Sequence, residues 1–381
     1  MATAKSLKIG FVLDDGLDKP DGVQQYIVAV GSWMGAQGHE VRYLVGETKR
    51  TDIPGVISVS RNMRWQFNGN RGTMPLPASR VKIQQLLQDE QFDVLHVQMP
   101  YSPFMAHKVI LSAPLSTAVI GTYHIAPNSK LVIYGTKALG VWLRSSLRRF
   151  DTMLSVSPAA AAFAKQSFNI ETSISPNVID FPRFHKSKPL VEYDDDLPTI
   201  LFLGRLVPRK GCMVLLQALQ LMKQAGTLPE CRVLICGRGP LEAKLKEFAT
   251  IHNLPVTFVG FVSEDEKPRY YASADIAIFP SSGGESFGIV LLEAMASGNA
   301  VVLAGDNPGY RSVLHNNPEL LFDPLNPQAL AEKITLHMSN AKRSNQQRLW
   351  GVNFTKQFDI GIVGEQVESI YRDALQKRSK Q

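Results

Sequence analysis

Apolar residues along this chain fall into short continuous runs that alternate with stretches of helical spacing. In the first half, residues 7–13, 40–45, 92–97, 118–123 and 151–156 read as buried strands. After the first of these, Val23, Ile27, Val30 and Met34 recur at helical spacing up to Gly38. The second half repeats the scheme, with strands predicted at 199–203, 232–236, 256–259, 275–279 and 300–303 and apolar-periodic helices between them. Such alternation argues for parallel sheets covered on both faces. The stretch 185–198, HKSKPLVEYDDDLP, is charged, proline-bearing and aperiodic, as a linker should be. The expected architecture is therefore α/β, with two doubly wound Rossmann-like domains, 1–185 and 186–357, facing each other across a cleft. The tail 359–375 reads as helix, and 358–381 is expected to join the first domain.

Composition narrows the class. With 44% hydrophobic and 20% charged residues, the 381-residue chain has the balance of an ordinary globular protein. No apolar run approaches the ~18 residues of a membrane span. The run 7–13 is too short for a secretory signal and meets Asp14-Asp15 at once, so a cytoplasmic location is expected. Cys212, Cys231 and Cys236 are odd in number and lie in apolar contexts, which suits structural thiols.

Charge adds a direction. The net +7 is concentrated in residues 1–185, which hold 19 Lys and Arg against 13 Asp and Glu. Within 42–82 eight basic residues face only Glu47 and Asp52. There Arg61, Arg64, Trp65, Arg71, Arg80 and Lys82 are candidates to meet anionic lipid headgroups, nucleic acid or a phosphorylated acceptor. No nucleic-acid reader motif accompanies them. Along a predicted helix at 128–150, Lys130, Lys137, Arg144 and Arg148 share one face opposite Val132, Leu139, Leu143, Leu147 and Phe150. That stripe fits either a core-docked helix or a membrane-surface element.

The segment 280–298, PSSGGESFGIVLLEAMASG, carries the strongest chemical signal. Glu285 and Glu293 stand eight residues apart in an apolar run, where an unpartnered carboxylate is costly. With Glu285 at the start of a helix, the two would lie ~10 Å apart along its axis. Free amides at that helix start would suit an anion, so the arrangement matches a nucleotide sugar. Gly204-Arg205 ends a strand and Pro208-Arg209-Lys210-Gly211 precedes a helix, so Arg205 and Lys210 would project from one loop. Together they could neutralise a departing diphosphate. No DxD-type acidic cluster stands at a strand end to hold a metal, since Asp194 to Asp196 falls in the expected linker. Further strand-to-helix turns occur at Gly237 and at Val259 to Phe261, whose backbone could read a nucleobase edge. Gly22 opens the first helix, where its amide could approach phosphate. His124 closes a strand, a place that suits either a satisfied structural histidine or a contact to substrate.

These motifs resemble retaining glycosyltransferases of family four, whose GT-B architecture pairs two Rossmann-like domains. The resemblance rests on DGVQ, FDVLHV, TYHI, SPNVID, FLGRLVPRKG, GRGP and SSGGESFGIVLLEAMASG, and runs from about Lys8 to Val313. Within that family the chain is most similar to bacterial phosphatidyl-myo-inositol mannosyltransferases, which transfer mannose from GDP-mannose to an inositol lipid at the inner face of the membrane. The resemblance implies Gly22 near the diphosphate, Gln24 near the acceptor and His124 at the reacting centre. It implies Arg205 and Lys210 on the diphosphate and Glu285 on the donor sugar's hydroxyls. The amides of Phe287 and Gly288 would hold the phosphates, Glu293 the ribose, and the neighbours Ser286 and Ile289 would complete the donor site with Gly204, Gly237, Val259 and Phe261. It further implies a peripheral membrane enzyme that needs no metal or other cofactor. Two departures lie on the acceptor side: Asp21-Gly22 where the family carries two glycines, and Ile125-Ala126-Pro127 where it carries small hydroxylated residues. The alternatives are a soluble glycosyltransferase using a UDP-sugar on a small sugar or glycan, and a non-catalytic nucleotide-sugar or nucleic-acid binding module.

Overall fold

The computed structural model describes residues 5–18, 21–67, 70–75, 78–125 and 130–380, with the backbone alone at 63–67, 70–75 and 130–134. The chain forms two compact units, Met1–Val178 with Ile360–Gln381, and Ile179–Asp359.

The first unit runs β1 (Lys8–Leu13), α1 (Gly22–Ala36), β2 (Glu40–Gly46), β3 (Val56–Ser60), β4 (Asn62–Phe67), β5 (Asn70–Pro75), α2 (Arg80–Glu90) and β6 (Val94–Gln98). It continues with α3 (Met105–Ser112), β7 (Ala118–Tyr123), α4 (Lys130–Trp142), α5 (Arg144–Leu147), β8 (Thr152–Ser155), α6 (Pro158–Phe168) and β9 (Ser173–Ile174). Seven strands form one sheet in the order β3-β2-β1-β6-β7-β8-β9, every pairing parallel. β4 and β5 pair separately as an antiparallel hairpin. The central strands are continuous apolar runs because helices cover both of their faces.

The second unit runs α7 (Phe181–His185), β10 (Thr199–Leu203), α8 (Cys212–Gln224), β11 (Arg232–Cys236), α9 (Glu242–Ile251), β12 (Val256–Gly260), α10 (Lys267–Ala272) and β13 (Ile276–Phe279). It ends with α11 (Ile289–Ser297), β14 (Val301–Gly305), α12 (Pro308–Leu314), β15 (Leu321–Phe322), α13 (Pro327–Ser339) and α14 (Ala341–Thr355). Its six parallel strands take the order β12-β11-β10-β13-β14-β15. This is the Rossmann order, with the reversal between β10 and β13.

The last helix, α15 (Ile360–Arg378), returns to the first unit. Its Val363, Val367, Tyr371 and Ala374 sit in one core with Phe11, Ile27, Val30 and Met34.

Two expectations need correction. The stretch 185–198 does not bridge the units: it lies inside the second, where Leu190 is buried and its N–H donates to Ser273 Oγ at 2.8 Å. Asp195 there pairs with Arg232 at 2.6 Å, and Arg232 stacks on Tyr193. The single helix expected over 128–150 is two pieces, α4 and α5, broken at Leu143, which is buried. Arg144 and Arg148 are exposed, as a solvated stripe requires, while Lys130 and Val132 lie outside the described side chains. So do Arg64, Trp65 and Arg71; Arg61, Arg80 and Lys82 are exposed. Among the described residues no helix is long and apolar enough to cross a membrane.

Candidate active site

In open parallel sheets, ligands sit beyond the carboxyl ends of the strands where the strand order reverses. In the second unit the loops at that point are 204–211, after β10, and 280–288, after β13. They are built to lie together. Gly211 has φ +72°, and a Cβ there would come within 2.0 Å of the Pro280 carbonyl oxygen, so only glycine fits. Ser282 N–H donates to the Arg209 carbonyl at 2.9 Å. Asn307, buried at the start of α12, donates to the Ser281 carbonyl at 2.9 Å and holds the second loop from behind.

This closure delivers three donors to one carboxylate oxygen. Glu285 Oε1 lies 2.8 Å from Lys210 Nζ, 2.7 Å from Arg209 Nη1 and 2.8 Å from Ser281 Oγ. Burial alone would push the Glu285 carboxyl up, but Lys210 and Arg209 outweigh it and hold it below its ordinary value. Lys210 is lowered by burial, with Glu285 opposing and Arg209 and Arg205 adding to the shift. Arg205 is exposed and close enough for its charge to be felt at Lys210. Two cations thus pair with one carboxylate and a third lies near Lys210, leaving net positive charge at the strand ends. At an effective dielectric near 20, a unit charge 4 Å from an anion contributes about 4 kcal/mol, enough to matter for a diphosphate.

The sequence reading placed Arg205, Lys210 and Glu285 together; the structure joins Lys210 to Glu285 and puts Arg205 near Lys210. It passed over Arg209, although PRKG displays it, and Ser281 and Asn307, whose roles come from loop packing.

Glu285 is not helical. Gly288, at φ +106°, starts α11 one residue later, at Ile289. The axial spacing of ~10 Å between the two glutamates therefore does not apply. Glu293 differs more. It is 3% exposed, with Oε1 3.0 Å from Lys267 Nζ and Oε2 3.1 Å from Tyr271 OH. Its carboxylate is committed inside the protein, because α10 turns Lys267 and Tyr271 onto the same face. Phe287 is also buried, its ring edge-on to Phe358 at 5.7 Å. Ser286 and Ile289 flank the helix start. Gly204 and Gly237 directly follow β10 and β11, while Val259 lies in β12 and Phe261, just past it, is 63% exposed.

In the first unit the order reverses between β1 and β6. Gly22 opens α1, and a Cβ there meets no protein atom within 4 Å, so packing does not demand glycine. Gln24 is buried and points Nε2 at Asp15 Oδ2 and the Gly16 carbonyl, both 3.4 Å away. His124, just past β7, is buried; its Nε2 lies 2.6 Å from Gln98 Oε1, and burial lowers its pKa to about 3, so it is neutral. The reading missed Gln98, although a wholly buried amide closing the apolar run VLHVQ is visible in the sequence. Ile125 is exposed; Ala126 and Pro127 lie outside the described residues.

Comparison with known proteins now decides the family. The family Glycosyltransferase Family 4 matches residues 20–183, and Glycosyl transferases group 1 matches 185–349. A phosphatidyl-myo-inositol mannosyltransferase from Mycolicibacterium smegmatis is 32% identical over 311 residues, covering 81% of this chain and 78% of that protein. The chain belongs to glycosyltransferase family four. A GDP-mannose-dependent alpha-(1-6)-phosphatidylinositol monomannoside mannosyltransferase from Mycobacterium tuberculosis is 25% identical over 349 residues, covering 86% of this chain and 88% of that one. The structure of a glycosyltransferase from Rickettsia africae superposes with a TM-score of 0.77 at 19% identity, covering 98% and 99% of the two chains. The fold is GT-B, and this family-four protein is a glycosyltransferase.

Proposed function

We propose that this glycosyltransferase moves mannose from GDP-mannose to a phosphatidyl-myo-inositol lipid at the inner face of the membrane, with retention at the anomeric carbon and without a metal. The observation that carries the reading is the convergence of Arg209 and Lys210 on Glu285, with Arg205 beside them, at the strand-order reversal of the second unit. Lys210 and Arg205 take the charge that grows on the diphosphate as the bond from C1 to the phosphate oxygen breaks. Glu285 holds donor-sugar hydroxyls. The acceptor hydroxyl oxygen bonds to C1 on the face that GDP leaves, and its proton passes to the departing phosphate oxygen. His124 and Gln24 serve the acceptor side. Of the two acidic triplets, Asp194 to Asp196 stands at the amino ends of the strands, where Asp195 is paired with Arg232, and in Glu264 to Glu266, past β12, Glu264 pairs with Lys267 and Asp265 with Arg183; this supports cation rather than metal neutralisation.

The donor is tested by thermal stabilisation with a panel of GDP- and UDP-sugars. A ligand at a hundredfold excess over Kd adds about 2.7 kcal/mol. GDP-mannose should give the largest rise in Tm, and NMR of the product should show the α-anomer. Stabilisation by a UDP-sugar alone, with transfer to a soluble glycan, would overturn both donor and acceptor.

Support for a membrane acceptor comes from the first unit's surface. Val81, Val141 and Trp142 are 73%, 77% and 60% exposed, and Arg80, Lys82 and Arg144 are exposed beside them in sequence. Trp142 stacks on His107 of α3, and Lys108 donates to the Ala78 carbonyl at 2.7 Å just before α2, which ties these elements together. The protein should float with phosphatidylinositol-containing vesicles in low salt and be released as salt screens the basic residues. Trp142→Ala should weaken flotation without changing nucleotide affinity. Wild-type protein that ignores anionic vesicles would remove the lipid acceptor.

A further inference from the structure

Behind His124 stands a buried polar ladder that the transfer reaction above does not use. Register pairs His96 with Ile120 and Gln98 with Thr122 across β6 and β7. His96 and Gln98 therefore share a sheet face with Thr122 and His124. His96 is closed at both nitrogens: Nδ1 lies 2.6 Å from Tyr371 OH and Nε2 2.6 Å from Thr122 Oγ1. His124 is bound at one nitrogen only among the described contacts, Nε2 against Gln98 Oε1.

The amide's orientation is settled by its other end. Gln98 Nε2 donates to the His96 carbonyl at 3.3 Å, so the NH2 faces the backbone and the oxygen faces the imidazole. An amide oxygen can only accept. His124 must therefore carry a proton on Nε2, and because the ring is neutral, its Nδ1 holds a lone pair. Tyr26 packs against the ring at 5.2 Å and 66°, which limits rotation.

We propose that Gln98 is a positioning residue of the transfer reaction: it holds His124 in the Nε2–H tautomer and makes Nδ1 an obligatory acceptor for a substrate hydroxyl. This rests on the placement of His124 at the reacting centre given above. A hydroxyl that donates to Nδ1 turns its own oxygen lone pairs outward in a fixed direction. The wrong tautomer would present an N–H there and repel the hydroxyl proton.

The test is nitrogen NMR on protein labelled with 15N-histidine, because protonated and unprotonated ring nitrogens have well-separated shifts. Wild-type His124 should show Nε2 protonated and Nδ1 not. Gln98→Leu, which removes the acceptor, should lose that preference. Its kcat should fall about a hundredfold or more, the lower edge of what a misplaced proton-bearing group costs, with KM for GDP-mannose within about threefold. Gln98→Met, which fills the amide's space but supplies no oxygen acceptor, repeats the test should the leucine variant not fold. A wild-type Nδ1–H tautomer, an unchanged tautomer in Gln98→Leu, or a changed tautomer with unchanged kcat would each overturn the proposal. Failure of the wild-type protein to transfer sugar from any nucleotide donor would instead defeat the function proposed above, and the nitrogen shifts would still decide the tautomer.

Discussion

Exchanging Lys210 for methionine should lower kcat about a hundredfold to a thousandfold, the usual cost of losing one group that stabilises transition-state charge. The fold should survive. Glu285 would keep Arg209 at 2.7 Å and Ser281 at 2.8 Å, so no buried carboxylate is left bare. The stem of methionine fills the space of the lysine chain. Arg209→Met should cost less, since Arg209 is the more exposed partner of Glu285. Steady-state kinetics with thermal melts separate the two outcomes: a drop in kcat with a Tm within a few degrees supports the charge role. Near-native turnover of the Lys210 variant would remove the paired-cation account of leaving-group departure. The pH profile offers a check with a definite sign. Lys210 and Arg209 hold the Glu285 pKa down in the folded protein, so its ionised form persists on the acid side. The stabilisation it brings is present above the unfolded-state pKa and is lost as pH falls through the lower folded value. Activity should therefore show no Glu285 inflection between pH 5 and 7, a range taken from ordinary carboxylate titration, which ends at about 5.

The charge cluster was legible because its parts sit in two short motifs, PRKG and GGES, each beside a strand end. What the spacing did not disclose was geometry. Eight residues between Glu285 and Glu293 suggested one helix, but Gly284 and Gly288 both have positive φ and keep the first glutamate in a loop. Glu293 was read as a ligand group because burial of a carboxylate needs a partner. The partner is Lys267, 26 residues upstream, which no local pattern connects to it. The central strands announced themselves as unbroken apolar runs. β3, the β4–β5 hairpin, β9 and β15 did not, since edge strands and hairpins are short and carry polar residues that need no burial. Composition also misled at 185–198: lysines and aspartates suggested a solvated connection, whereas Leu190 anchors the stretch to Ser273. Gln98 shows the opposite case, a visible anomaly whose meaning appeared only when β7 brought His124 beside it.

Glu293→Ala should destabilise the protein by about 3–5 kcal/mol, the cost of leaving one member of a buried ion pair without its partner. Lys267 Nζ is 8% exposed at the side chain and would then rely on Glu264, at 2.7 Å and 39% exposed. Tyr271 OH, fully buried, would lose the acceptor at 3.1 Å as well. Both losses fall on α10 and α11, the second of which follows Phe287 and Gly288, whose amides are expected to hold the donor phosphates. Burial pushes the Glu293 carboxyl up, and Lys267 only partly offsets it; Glu293 and Glu264 outweigh burial at Lys267 and hold it charged. The pair is thus kept by mutual neutralisation, and removing both charges should cost less than removing one. The double variant Glu293→Leu with Lys267→Met should recover much of the loss in denaturant unfolding, because an apolar pair of similar volume needs no desolvation. Activity then separates structure from ligand contact. If Glu293 acts only as a packing group, the double variant regains nucleotide affinity along with stability. A double variant that is stable yet binds GDP-mannose more than tenfold more weakly would show that the carboxylate reaches the ribose after all, through a rearrangement that frees it from Lys267.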